Sequence, residues 1–138
     1  MVAEIYKTKI RHLSGSNYAE VSGNARFLYK EISSRTKRRP YIRSAYFKKE
    51  KIFLDYFWEH LMTKNQSDRL RRLKQYSCGL DLIKNSKIRP SSRISKEKRS
   101  EMLHRFYGKN GCGEIFIVQV KENLRTGEKA FISVFPED

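Results

Sequence analysis

The chain has 138 residues, and its 30 Lys and Arg against 15 Asp and Glu give a formal net charge of +15 at pH 7. Apolar residues make up 38% and aromatics 12%, too many for a disordered basic tail, which lacks the side chains to bury a core. No apolar run approaches the roughly 18–20 residues of a membrane span, so the composition describes one folded domain that seeks a polyanion.

The two cysteines, Cys78 and Cys112, are far apart, and His12, His60 and His104 are scattered. That spacing offers neither a disulfide framework nor a zinc motif, so no metal or cofactor is expected. The first residues lack an apolar signal core, and cytoplasmic residence is the expectation. Residues 35–109 hold 22 basic and seven acidic groups, whereas 110–138 hold three basic and five acidic. The excess charge is therefore a central belt.

In chain order, Ala25, Leu28, Tyr29 and Ile32 share a face of a predicted helix over 24–34. The basic stretch 35–40 ends it at Pro40. Ser44 is the expected N-cap of a second helix running to about Thr63, with Phe47, Leu54, Phe57, Trp58, Leu61 and Met62 at helical spacing and Phe53 and Tyr56 widening the stripe. Asn65 with Asp68 predicts the start of a third helix, in which Leu70, Leu73, Ser77, Leu80 and Ile83 keep the rhythm. Residues 86–100 read as a mobile basic loop with a short helix near 96–101. The period then changes: 102–107, 115–121 and 130–135 are short, β-branched and aromatic, and predict a three-stranded antiparallel meander. Helices followed by a meander give an α+β fold, the N-terminal helices packed on the C-terminal sheet.

Pairing Arg105 with Ile117 and Gln119 with Ser133 sorts the meander into two faces. One face collects Met102, His104, Phe106, Phe116, Val118, Val120, Ile132 and Val134. The other carries Arg105, Tyr107, Gln119, Lys121 and Ser133 beside Leu103, Ile117, Phe131 and Phe135, and is expected to be open. Arg and Lys there suit the extra charge of a pentacovalent phosphorane, and Tyr and Arg planes suit splayed bases. His104, the only imidazole of the β region, is the expected proton carrier. Its plain alternative is a hydrogen-bonded core histidine. Ser133 is expected to position a phosphate oxygen. Arg38, Arg39, Arg43 and Lys48, interleaved with Tyr41, Tyr46 and Phe47, form a candidate phosphate-holding segment, extended by Arg71 and Arg72. The pair Glu59 and His60 on the aromatic helix reads as incidental.

The run Leu103-His104-Arg105-Phe106, then 115–121, then Phe131-Ile132-Ser133-Val134-Phe135-Pro136 resembles the sheet of the barnase–EndoU–colicin–RelE-like ribonuclease superfamily, in particular its phage- and mobile-element-associated nuclease and toxin-like branch. The likeness covers about residues 40–136, with 1–34 as an N-terminal helical extension of a single domain. It implies a RelE- or barnase-like α+β fold and metal-independent RNA cleavage, and points to His104, Arg105, Lys121 and Ser133. The acid–histidine pair of barnase has no counterpart, and Phe135 stands where a RelE-like catalytic Tyr is expected. The implied partners are RNA, including tRNA or ribosome-bound mRNA, and an acidic antitoxin or immunity protein, with no membrane. A non-catalytic basic nucleic-acid-binding module is the alternative, and a DNA-processing accessory protein using 44–85 as a groove-facing element is a third reading.

Overall fold

The computed structural model describes residues 4–137, and these form a mixed α+β structure of four helices and one seven-stranded sheet. The elements are β1 (Tyr6–Lys7), α1 (Tyr18–Ser34), β2 (Tyr41–Arg43), β3 (Lys51–Phe53), α2 (Asp55–Leu61), α3 (Gln66–Lys74), α4 (Tyr76–Asn85), β4 (Ser91–Ile94), β5 (Glu101–Lys109), β6 (Ile115–Asn123) and β7 (Lys129–Pro136). No helix among the described residues is long and apolar enough to cross a membrane.

Helix α1 begins earlier than its apolar stripe, because the Asn17 side chain accepts from Glu20 N at 3.0 Å and caps the first turn. It buries Val21 and Ala25 in the common core, with Leu28, Tyr29 and Ile32 against them.

The predicted helix over 44–63 is not one element. Ser44 caps a turn instead: its Oγ accepts from Phe47 N at 3.0 Å and its carbonyl from Lys49 N at 2.7 Å. Lys48 and Lys49 both take left-handed backbone angles (φ 54° and 67°), which a helix cannot contain. The turn lets β3 fold back on β2, burying Ile42 and Ile52 side by side. The remaining aromatic stripe belongs to the shorter α2, which buries Phe57 and Leu61.

The Asn65 cap does start α3, accepting from Asp68 N at 2.9 Å. The predicted continuous helix is nevertheless interrupted at Gln75, which is buried and separates α3 from α4. Residues 91–94, expected in a mobile loop, pair with β5 as β4.

The sheet order is β1-β5-β6-β7-β3-β2, with β4 on the same edge of β5 as β1 but farther along it. The first hairpin is shifted two residues from the expected register: Arg105 faces Gln119, and Tyr107 faces Ile117. Asn110 tightens that turn by accepting from Cys112 N and Glu114 N, so Lys109 closes against Ile115. A two-residue shift preserves parity, so the faces survive. The second hairpin keeps Gln119 opposite Ser133, and a bulge then sets Val120 opposite Phe131. The bulge reverses two expectations. Phe131 lies in the core, stacked on Phe57 at 4.9 Å, and Ile132 is half-exposed.

The core fills the face carrying Phe106, Phe116, Val118, Val120, Phe131 and Val134. Helix α4 lies close on it: a Cβ added at Gly79 would stand 3.3 Å from both Phe131 and Val134. Strand β3 pairs with β7 only at Lys129 and Ala130, and α2 and α3 pack along the rest of β7.

Candidate nucleic-acid interface

Directly paired residues on neighbouring strands project to the same side of a sheet. One row therefore runs Arg93, Leu103, Lys121, Ala130, Phe53, Tyr41 from β4 to β2, and a second runs Ser91, Arg105, Gln119, Ser133. By alternation Arg43, Lys51, Tyr107 and Phe135 join the same face. Leu103, Arg105, Tyr107, Gln119, Lys121 and Phe135 are half-exposed here, whereas Ile117, Ala130 and Ser133 on the same face are buried, so the face is accessible only in part.

Helices α2 and α3 wall this face beside β7. Arg72 reaches over the strand, donates to Ser133 Oγ, lies 5.0 Å over the Phe135 ring and is steadied by Asp68 at 3.2 Å. Ser133 itself is buried, so Arg72 is the group that presents charge at this place. Lys121 pairs with Glu101 at 3.3 Å and lies 5.4 Å from the centre of the Tyr56 ring. A cleft of about 290 Å³ is lined by Tyr56, Glu59, His60, Thr63, Lys121 and Ile132. In it, burial first and then the charges of Lys64, Arg72 and Lys121 hold the His60 imidazole below its ordinary pKa of 6.5. The residue that read as incidental thus lies in a cleft of a cationic face, its imidazole held toward the neutral form.

Arg105 carries a further signal. Its Nε is buried without a hydrogen-bond partner among the described residues. A buried guanidinium donor left unpaired is costly, so Arg105 is a side chain that the described residues do not themselves satisfy, although the residue as a whole is half-exposed.

At the other end of the face, Arg35, Lys37, Arg38, Tyr41, Lys51 and Phe53 border a larger cleft of about 700 Å³. Arg39 is held at its edge by Asp55 (2.9 and 3.0 Å) and Glu128 (2.9 Å) and lies 4.0 Å over the Phe53 ring. The Asp55 hydrogen bonds raise its already high pKa. Arg39 also lies 5.1 Å from the Tyr56 ring, so Tyr56 joins the large cleft to the one containing His60. Arg43 donates to Lys49 O at 3.0 Å and, with Lys51, flanks the Tyr41 ring. Arg38 and Arg71 are exposed, and Lys48 stands in the 44–50 turn.

The four expected catalytic residues are not gathered together. Arg105, Lys121 and Ser133 share the open face, whereas His104 faces the core, 5% exposed. Its Nδ1 lies 2.6 Å from Ser92 Oγ and its Nε2 lies 2.8 Å from Glu122 Oε1. Phe47 meets the ring edge-on at 5.0 Å. Glu122 also faces the buried Lys129 ammonium at 3.8 Å, and that ammonium pairs closely with Glu50. The chain Ser92–His104–Glu122–Lys129–Glu50 pairs the buried ammonium with two carboxylates and fastens the 44–50 turn to the sheet.

Reading the sequence missed His60, Tyr56 and Phe53 as members of the face, while Lys51 in the basic 35–51 segment and Arg93 in the basic 84–99 loop belonged to the expected phosphate-holding footprint without being placed on the sheet. The available signal was the polar His60 within an apolar stripe, but its neighbours Arg72 and Lys121 come from other elements. Comparison with protein-family models, curated proteins and solved structures gives no significant match.

Proposed function

We propose that this protein is a metal-independent endoribonuclease of barnase–EndoU–colicin–RelE-like type, with RNA lying across the open sheet face. The observation that supports this most is an imidazole kept neutral in a cleft shared with Lys121, on a face whose cations include Arg72 and Arg105. A neutral imidazole near pH 7 is the state a general base requires. His60 takes the proton of a ribose 2′-hydroxyl as that oxygen bonds to phosphorus. Arg72, Arg105 and Lys121 carry the added negative charge of the phosphorane. The P–O5′ bond then breaks, leaving a 2′,3′-cyclic phosphate, and the 5′ oxygen takes up a proton, with Lys121 placed to deliver it. Tyr41, Phe53, Tyr56 and Tyr107 offer surfaces for unstacked bases. The same face is the surface that an acidic inhibitor protein would cover.

A second reading is nucleic-acid binding without cleavage. It is favoured by the burial of His104 and the full use of both its ring nitrogens. One experiment separates the two. End-labelled single-stranded RNA incubated with the full chain in EDTA is expected to yield cyclic-phosphate ends, lost in His60→Ala and Arg105→Ala. Salt-sensitive RNA binding with no cleaved product, on free RNA and on ribosomes or tRNA alike, would replace the first reading with the second.

A further inference from the structure

The segment between β1 and α1 is strapped against the β5–β6 turn and the end of α3. Gly111 N donates to Ile10 O at 2.7 Å, Thr8 N to Lys109 O at 3.0 Å and Leu13 N to Lys74 O at 2.8 Å. The approach is so close that a Cβ at Gly111 would lie 2.2 Å from Lys9 O. This contact brings three side chains of metal-binding type together from distant parts of the sequence. His12 Nδ1 lies 2.7 Å from Glu114 Oε1, and the ligand atoms of His12, Cys112 and Glu114 all stand within 4.8 Å of one another.

The carboxylate is held by an inner layer of buried polar groups. Asn110 Nδ2 donates to Glu114 Oε1 at 3.0 Å and to Gln75 Oε1 at 3.0 Å, and Gln75 Nε2 approaches Glu114 Oε1 at 3.4 Å. Asn110 and Gln75 are only 4% and 2% exposed. Together with His12 these hydrogen bonds offset the cost of burial and hold the Glu114 carboxyl below its usual pKa. Such fixed outer partners orient the ligands of protein metal sites. Cys78 lies beneath the same strap, but burial pushes its thiol up to about 11, so it stays protonated near neutral pH.

We propose that His12, Cys112 and Glu114 bind a zinc ion that clips residues 8–13 to the β5–β6 turn. The donor set decides the metal. One thiolate, one imidazole and one carboxylate suit Zn²⁺, whereas Mg²⁺ and Ca²⁺ favour oxygen donors throughout. Zinc ligands at about 2.0–2.3 Å from the metal stand roughly 3–4 Å apart, so small side-chain rotations close the set, and water supplies the fourth position. The cation replaces the proton shared between His12 and Glu114, and the Cys112 thiol gives up its own. The site has no part in the proposed cleavage chemistry.

The test uses the full chain, fully reduced and stripped of metal. Zn²⁺ titrated against a chromogenic chelator is expected to bind at one equivalent. Co²⁺ in its place is expected to give the intense absorption of a cobalt–thiolate bond. His12→Ala and Cys112→Ser are expected to lose that absorption, and Asn110→Ala to weaken Zn²⁺ binding about 10–100-fold. In hydrogen exchange, Zn²⁺ is expected to slow the amides of residues 8–13 in the parent chain and not in Cys112→Ser. No stoichiometric binding, or binding undiminished in both ligand variants, overturns the site. Cleavage in EDTA is read separately, so loss of either proposal leaves the other standing.

Discussion

At the scale of single residues, two histidines on opposite sides of one sheet have opposite work. His104 joins the exposed Ser92 to the half-buried Glu122, but its own ring is buried against Phe47, so removing it empties a packed volume as well as breaking both hydrogen bonds. Deleting a buried side chain of this size costs about 2–5 kcal/mol. His104→Ala should therefore lower the thermal midpoint clearly. His60 makes no comparable network and stands half-exposed among cations. His60→Ala should leave the midpoint nearly unchanged while cleavage falls about 10²–10⁴-fold, the usual worth of a general base. Thermal melts and cleavage rates on both variants check the assignment, and the reverse pattern would return catalysis to His104. The sign of the pH dependence follows from the same residue. Because its folded pKa is depressed below 6.5, His60 stays neutral and competent above that value. Cleavage should fall only as pH drops below about 6.5, through the depressed folded pKa, and conformational stability should decline in the same window. A rate profile measured from pH 4.5 to 8 should show this acid limb.

At the scale of elements, backbone approach sets the constraints. A Cβ at Gly108 would stand 2.5 Å from Phe116 Cζ and 3.0 Å from Leu82 Cδ1, both in the packed core under β5. Gly108→Ala should therefore destabilise by about 1–3 kcal/mol, as overpacking does. Gly111→Ala meets backbone rather than a side chain, so it should lift the strap of residues 8–13. Hydrogen exchange would register this as lost protection at the Thr8 and Leu13 amides, which bond to Lys109 O and Lys74 O, while β6 and β7 stay protected. Elements of this kind also mark what the sequence could disclose. The long strands β5, β6 and β7 were legible because alternation over eight or nine residues carries a strong period. Strands β1, β2 and β3, of two or three residues each, are too short for any period and exist through pairing with distant partners. Parity placed Arg105 and Lys121 on an open face from sequence, but no local pattern announces that α2 will turn His60 toward Lys121. The bulge at β7 was equally silent, since Phe131 and Ile132 are both apolar and either could have filled the core.

At the scale of the whole molecule, the +15 charge acquires a direction. On the core side of the sheet the buried Lys129 is taken up by Glu122 and Glu50, so it adds no free positive charge there. The open side gathers Arg43, Lys51, Arg72, Arg93, Arg105 and Lys121, against which Asp68 and Glu101 are the paired acids. An RNA strand crossing that face would displace counterions from each phosphate it presents. For single strands the slope of log K against log salt is about −0.7 per phosphate contacted. With about five or six contacts the slope should fall near −4. Arg105→Ala should reduce its magnitude by about 0.7, because its guanidinium has no acidic partner among the described residues. Lys121→Ala should reduce it less, since Glu101 at 3.3 Å already offsets part of the lysine charge, and Lys48→Ala should leave it unchanged. Fluorescence anisotropy with a labelled oligonucleotide from 50 to 300 mM salt measures all four proteins. Equal reductions from Lys48 and Arg105 would mean that the charge acts as a diffuse belt and that the sheet face is not where RNA lies.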